Sequence, residues 1–219
     1  MGSSVAESWG RIVGWLEEHL PEAVETLQPP ASAQDISRLR ETMARRLPSD
    51  LIAWLLLNNG FNRRAAFGNL IPVLYVPMST DQMLRDREML QQVWTSIVPE
   101  RPYAAEQAPA GTRSFEWLDA FLPIGDAGTD CHLFVDLREG DHFGCVGNYD
   151  AQAGGFDEPK WFSITEMLAD VADALILDQP ALADHGRRVH AANPFPTSPP
   201  RAWTPYIEDR YLRWNLVDL

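Results

Sequence analysis

The chain has 219 residues, 45% hydrophobic and 22% charged, so it can bury a core, and disorder is excluded for most of its length. A net charge of −13 argues against a nucleic-acid binder that works by neutralising phosphates. Two cysteines exclude a disulfide scaffold, and no apolar run approaches the roughly 20 residues that span a bilayer. The first residues lack the basic and apolar parts of a secretory signal, so we expect a cytoplasmic protein.

A helical part is predicted over residues 1–60. Serines at positions 4 and 32 begin helices with the spacing of N-terminal caps, and a buried helix is predicted over Leu51–Leu57. Gly60 is suited to the left-handed residue that ends this helix. Asn59 has two interpretations, a helix C-cap or a contact residue.

An edge strand is predicted over Ile71–Val76, where Pro72 interrupts the run. A helix at about 79–97 follows, with Met83, Leu90 and Ile97 on one stripe. Residues 98–112 are rich in Pro, Ala and Gly and predict a loop.

A sheet is predicted at about 115–162. Its strands are Phe121–Ile124, Cys131–Leu137 and His142–Tyr149, and a four-residue turn joins the last two. That turn places His132 opposite Gly147. A closing helix is predicted over 164–177, and the order of helices, sheet and helix favours an α+β fold.

A C-terminal arm is predicted over residues 185–219, after one domain at 1–184. The arm contains a Pro-rich extended stretch and a hairpin, Trp203–Trp214, that turns at Glu208-Asp209. Both a connector laid on the domain and a partner-binding arm fit this pattern.

The negative charge is concentrated at residues 115–184. Fifteen acidic residues stand there against Arg138 and Lys160, whereas the flanking segments are nearly neutral. One interpretation is a solvated surface that aids solubility. The other is an acidic face for a basic protein partner.

The sequence has no motif of a nucleophile elbow, a zinc-protease helix, a phosphate loop or a dinucleotide site. We therefore expect no enzyme and no cofactor. Cys131, His132, His142 and Cys145 are metal-ligand types, but the predicted hairpin separates the two histidines by roughly 16 Å, so we expect no metal site. Residues 126–130 lack the later acidic ligand of a calcium loop and favour a tight turn.

Three ordered segments resemble the SUKH superfamily, the domain of Smi/Knr-like proteins. Residues 47–60 look like its LP-x-D helix and NG turn, and residues 121–137 look like its turn and D-x-L-x-x-D strand. Residues 144–150 with 162–168 look like its G-x-V strand and its SF-x-E closing helix, although Ile164 stands where an aromatic residue often follows the serine. The helix at 79–97 and the tail lie outside the resemblance.

This resemblance implies an α+β domain with a mostly antiparallel sheet, flanking helices, no catalysis and a protein-binding role. It implies that bacterial members act as immunity proteins against polymorphic toxins and that fungal members regulate cell-wall glucan synthesis and signalling. Our first hypothesis is an immunity-type binder of a basic toxin domain. The alternative is a regulatory or scaffold protein.

The sheet face and its turns are the candidate binding surface. The candidate binding residues are Asn59, Asp126, Asp130, Asp136 and Tyr149. Asp136 has an alternative interpretation, in which its carboxylate bonds a neighbouring turn. The oligomeric state is left open.

Overall fold

A computed structural model describes residues 2–62, 69–98, 103–152 and 155–219. Part of the predicted loop at 98–112 lies outside these residues, as do parts of the Gly/Asn-rich stretch at 61–70 and of the segment 151–155. In chain order, the elements are α1 (Val5–His19), α2 (Pro21–Val24), α3 (Ala33–Met43), α4 (Ser49–Leu55), β1 (Val76–Pro77), α5 (Thr80–Ile97), α6 (Tyr103–Gln107), β2 (Phe121–Asp126), β3 (Cys131–Asp136), β4 (Val146–Asp150), α7 (Ile164–Leu177), α8 (Ala183–Ala192), β5 (Arg201–Glu208) and β6 (Tyr211–Asp218).

Side-chain caps begin α1, α3, α5 and α7. The hydroxyls of Ser4, Ser32 and Ser79 each accept a hydrogen bond from the backbone three residues on, and each serine N–H donates to the side chain at that position. At α7 the hydroxyl of Ser163 accepts from Glu166 N at 3.0 Å, but the Glu166 carboxylate accepts from Phe162 N. None of the helices in the described part of the chain is both long enough and apolar enough to cross a bilayer.

The strands β1 to β4 form an antiparallel sheet in sequence order, with β1 at one edge. Both faces of the sheet are covered because alternate side chains enter two different cores. The larger core joins the sheet to α1, α3, α4 and α7 through Leu122, Leu133, Val135 and Val146. The smaller core packs Phe121, Phe134 and Tyr149 against Trp117 and against Leu90 of α5.

The predicted register of the β3–β4 hairpin was wrong by two residues. His132 lies opposite Tyr149, and Gly147 lies opposite Phe134. The register differs because the connection between β3 and β4 is longer than predicted. Residues 141–144 form turns instead of the predicted strand, and β4 begins only at Val146. Gly144 has a positive φ of 87° in these turns, so the strand cannot extend through this residue.

The hairpin of β5 and β6 packs on α7 and α8. Its turn lies at Asp209-Arg210, where both residues have positive φ, one position beyond the predicted turn. Leu212 enters the larger core, and Trp214 Nε1 donates to Asn69 O at 2.7 Å. The α+β fold class with a mostly antiparallel sheet is confirmed, while the division of the chain at residue 184 stays a prediction.

Candidate functional site

Asp126 and Asp130 flank the turn between β2 and β3. Asp126 is buried, and its Oδ1 accepts from Gly128 N at 2.7 Å, as the sequence predicts for a tight turn. Asp130 is exposed, and its Oδ2 accepts from Gln152 Nε2 at 2.8 Å. Of these two carboxylates, the structure presents Asp130 to solvent.

Asp136 lies at the other end of β3, in a buried ion pair. Arg138 donates to both of its carboxylate oxygens, with Nη2 at 2.7 Å from Oδ2, and both side chains are about fully buried. Arg138 also donates to Ala105 O and Thr112 O, and Gly111 N donates to Asp136. The pair fastens the 105–112 segment to the sheet, in agreement with the interpretation that Asp136 bonds a neighbouring turn.

Tyr149 is buried in the smaller core. Its hydroxyl donates to Phe115 O at 3.1 Å, and its ring meets Trp117 edge-on at 5.3 Å. Burial, and then the nearby Glu116 carboxylate, raise the pKa of this phenol. In this fold Tyr149 supports the sheet from beneath rather than facing a partner.

Asn59 joins two helices instead of capping the one before it. Helix α4 ends at Leu55, so the C-cap interpretation was wrong. The Asn59 Oδ1 accepts from Thr80 N at 2.8 Å and satisfies one of the free N–H groups at the start of α5. Gly60 adopts the predicted left-handed conformation, with φ of 79°, but it does not end the helix, which stops at Leu55.

An acidic end of the sheet forms where β3 begins and β4 ends. We define it by Asp130, which precedes Cys131, and by Asp150, which lies opposite Cys131 in the strand pair. Burial first, and then these two carboxylates, raise the pKa of the Cys131 thiol. Burial, Cys131 and Asp150 likewise raise the pKa of Tyr75, whose hydroxyl donates to Asn148 Oδ1. Burial is the larger cause of both shifts, and the nearby carboxylates act in the same direction.

Further acids lie at the opposite end of the same hairpin. Glu139 and Asp141 are exposed in the connection between β3 and β4. Arg138, one of the two basic residues of the acidic segment, is buried against Asp136 beneath them. The exposed charge at both ends of the hairpin is therefore mainly negative.

The candidate metal ligands of the sequence do not assemble. Within residues 2–62, 69–98, 103–152 and 155–219, no group of three or more metal-ligating side chains could hold an ion. Both cysteines are free thiols. His132 is buried beside Trp117, with ring centroids 6.0 Å apart.

Sequence reasoning missed the structural or functional role of three residues, which are Asp150, Arg138 and Lys160. Asp150 directly follows the predicted strand His142–Tyr149, and the structure shows its side chain to be half-buried. The partner of Arg138 depends on how the chain turns after β3, and no sequence signal shows that turn. Lys160 is the one lysine in the sequence, which was a usable signal.

Comparisons with known proteins agree with this architecture. A KNR4/SMI1 homolog of Yarrowia lipolytica (strain CLIB 122 / E 150) is 32% identical over 93 residues, which are 42% of this chain and 12% of that protein. The chain thus spans a small part of that relative. The model of the SMI1 / KNR4 family (SUKH-1) matches residues 30–171, more than half of the chain, and confirms the resemblance seen in the ordered motifs. The chain therefore belongs to the SMI1 / KNR4 family (SUKH-1).

Proposed function

We propose that this chain is a non-catalytic protein-binding domain of the immunity type, which neutralises a toxin by binding it. The observation that carries the proposal is the charge of residues 115–184, where fifteen acids stand against two basic residues. The fold buries one of those basic residues, Arg138, and leaves acids exposed at both ends of the β3–β4 hairpin.

An acidic hairpin of this kind is complementary to a basic cleft. Toxins that cut nucleic acids have such clefts, and an acidic protein can occupy the cleft in place of the phosphate backbone. Asp130 is the candidate contact that the structure supports best, because it is exposed and lies beside Asp150. Asn59, Asp126, Asp136 and Tyr149 contribute by holding the surrounding turns and the sheet in place.

The test is a pull-down with the tagged chain from its native host, at low and at high salt. We expect a basic toxin domain to be retained at low salt and released at high salt, because ions screen exposed charges. A partner that stays bound at high salt would contradict a charge-driven interface.

The variant Asp130→Asn/Asp150→Asn locates the interface on that partner. It removes two charges from the acidic end, and we expect weaker binding, mainly through slower association. The matched control is Glu17→Gln/Glu25→Gln, which removes two exposed charges from the N-terminal helices. Equal loss in both variants would point to net charge alone and would exclude the acidic end as the interface.

A second candidate function is a regulatory or scaffold role without a toxin. It is favoured by the similarity to a fungal KNR4/SMI1 homolog. On this alternative, the pull-down retains a cell-wall or signalling protein of the host at high salt.

A further inference from the structure

A cavity of about 320 Å³ lies between the family domain and the C-terminal arm. Lys160, just before α7, lines one side, and His185 and His190 of α8 line another. The remaining wall comes from residues after α8, in the extended stretch and in the β5–β6 hairpin, all beyond the matched family region. Those lining residues are Asn193, Thr197, Ser198, Arg201, Trp203 and Leu216.

Lys160 brings a positive charge that forms no ion pair with any of the described residues. Its side chain is half-buried, and its ammonium makes no hydrogen bond or ion pair with any residue in the described ranges. Burial lowers the pKa of Lys160, and the charge of Glu158 opposes this shift. A half-buried ammonium with no bonded anion among the described residues is stabilised when an anion binds beside it.

The potential in the cavity is positive in an otherwise acidic protein. Arg188 lies behind Lys160, where it donates to Pro159 O and Lys160 O. Burial, and then the charges of Lys160 and Arg188, lower the pKa of His185 to about 4. Its Nδ1 is buried and has no hydrogen-bond partner within the described parts of the chain. Arg201 lies at the rim, paired with Asp218 at 3.3 Å.

The lining suits a phosphate group better than a carboxylate. Three phosphate oxygens carry a charge of about −1.5 to −2 and accept several hydrogen bonds. An ammonium, two hydroxyls, an amide and two imidazoles line this cavity. Val189, Trp203 and Leu216 add an apolar side, so there is room and contact for an organic body next to the phosphate.

We propose that this cavity binds a small organic phosphate, with the Lys160 ammonium at the phosphate and Trp203 beside the organic part. The site is separate from the proposed protein-binding surface, so either proposal can fail alone.

The single lysine of the sequence provides a direct measurement. Protein labelled with ¹³C at the lysine ε-carbon gives one lysine side-chain signal, which belongs to Lys160. Phenyl phosphate, inorganic phosphate and benzoate are titrated in turn at constant ionic strength. We expect a saturable shift with phenyl phosphate, a dissociation constant at least about fivefold larger with inorganic phosphate, and no saturable shift with benzoate.

Variants extend the test to calorimetry, which does not depend on the lysine signal. Lys160→Gln should weaken phenyl phosphate binding at least tenfold. The control Arg38→Gln also removes one positive charge, from an exposed pair with Asp81, and should leave phenyl phosphate binding unchanged. Ser198→Ala, in the exposed arm, provides a mild second variant, with an expected loss of about threefold. A lysine signal that phenyl phosphate does not move would overturn the proposal, as would equal binding by Lys160→Gln. Saturable binding of benzoate with equal affinity would overturn the choice of phosphate.

Discussion

Asp136 was a candidate binding residue, but its buried ion pair with Arg138 stabilises the fold instead. Each lies under 2% exposed, and the carboxylate and the guanidinium have their hydrogen bonds satisfied by each other and by the 105–112 segment. Removing one partner therefore leaves the other charge buried without compensation.

We expect Asp136→Asn to lower the free energy of unfolding by about 3 to 5 kcal/mol, because the Arg138 guanidinium then has no counterion. Urea titration followed by tryptophan fluorescence measures this. The matched control, Asp157→Asn, breaks an exposed pair with Arg113 and should cost below about 1 kcal/mol. Similar losses in both variants would show that the buried pair is not a special contributor.

Sequence reasoning at the residue scale succeeded where the chemistry is local. The Asp126 turn follows from an aspartate two residues before a glycine, and its hydrogen bond is made within that turn. Asn59 was misassigned because its partner, Thr80, lies 21 residues away. The Arg138 contacts at Ala105 and Thr112 lie at similar range and were equally hidden.

Close packing of α8 on β5 rests on Gly186. A Cβ at this position would overlap the backbone of Arg201, so only glycine permits the present approach of the helix to the strand. The cavity that contains Lys160 and His185 depends on this approach, since α8 and the start of β5 both line it.

We expect Gly186→Ala to destabilise the protein by about 1 to 3 kcal/mol, because α8 must move away from β5. In contrast, Gly10→Ala in α1 meets open space, and alanine should stabilise that helix by up to about 1 kcal/mol. Thermal unfolding of the two variants beside the parent checks both signs. A Gly186→Ala protein as stable as the parent would show that α8 is not held closely against the hairpin.

The starts of helices were predictable where a serine caps them. The bounds of strands were less predictable where they depend on the number of residues in a turn. Serine caps begin α1 and α3 at the predicted residues, because a cap depends on a side chain three positions away. The β3–β4 register failed because His142–Cys145 resembles a strand in composition, while Gly144 turns the chain there. Hairpin register depends on the exact length of the connection.

At the scale of the whole molecule, the order of motifs predicted the family and the α+β class. Neither prediction depends on the exact register of the β3–β4 pair. The cavity could not be predicted, because it needs α8, β5 and the segment between them to pack beside Lys160. The excess of negative charge was readable from composition, but the burial of Arg138 was not.

The negative charge also has a cost for the free protein. Exposed acids in the 115–184 segment repel one another, and salt screens this repulsion, reducing its range from about 30 Å at 0.01 M to about 8 Å at 0.15 M ionic strength. We expect the midpoint of thermal unfolding to rise over that range of sodium chloride. The rise should be smaller for Asp130→Asn/Asp150→Asn than for Glu17→Gln/Glu25→Gln, and a fall with salt would show that attractive surface pairs dominate.

Lys160 has a practical consequence for mapping any partner. Reagents that attack side-chain amines can react with this chain only inside the cavity beneath the arm, because the sequence offers no other lysine. Amine-to-amine crosslinkers would therefore find no lysine side chain of this chain at the acidic end. Carbodiimide activation of the carboxylates, followed by capture by lysines of the bound protein, would place a covalent link at the acidic end, where Asp130 is exposed.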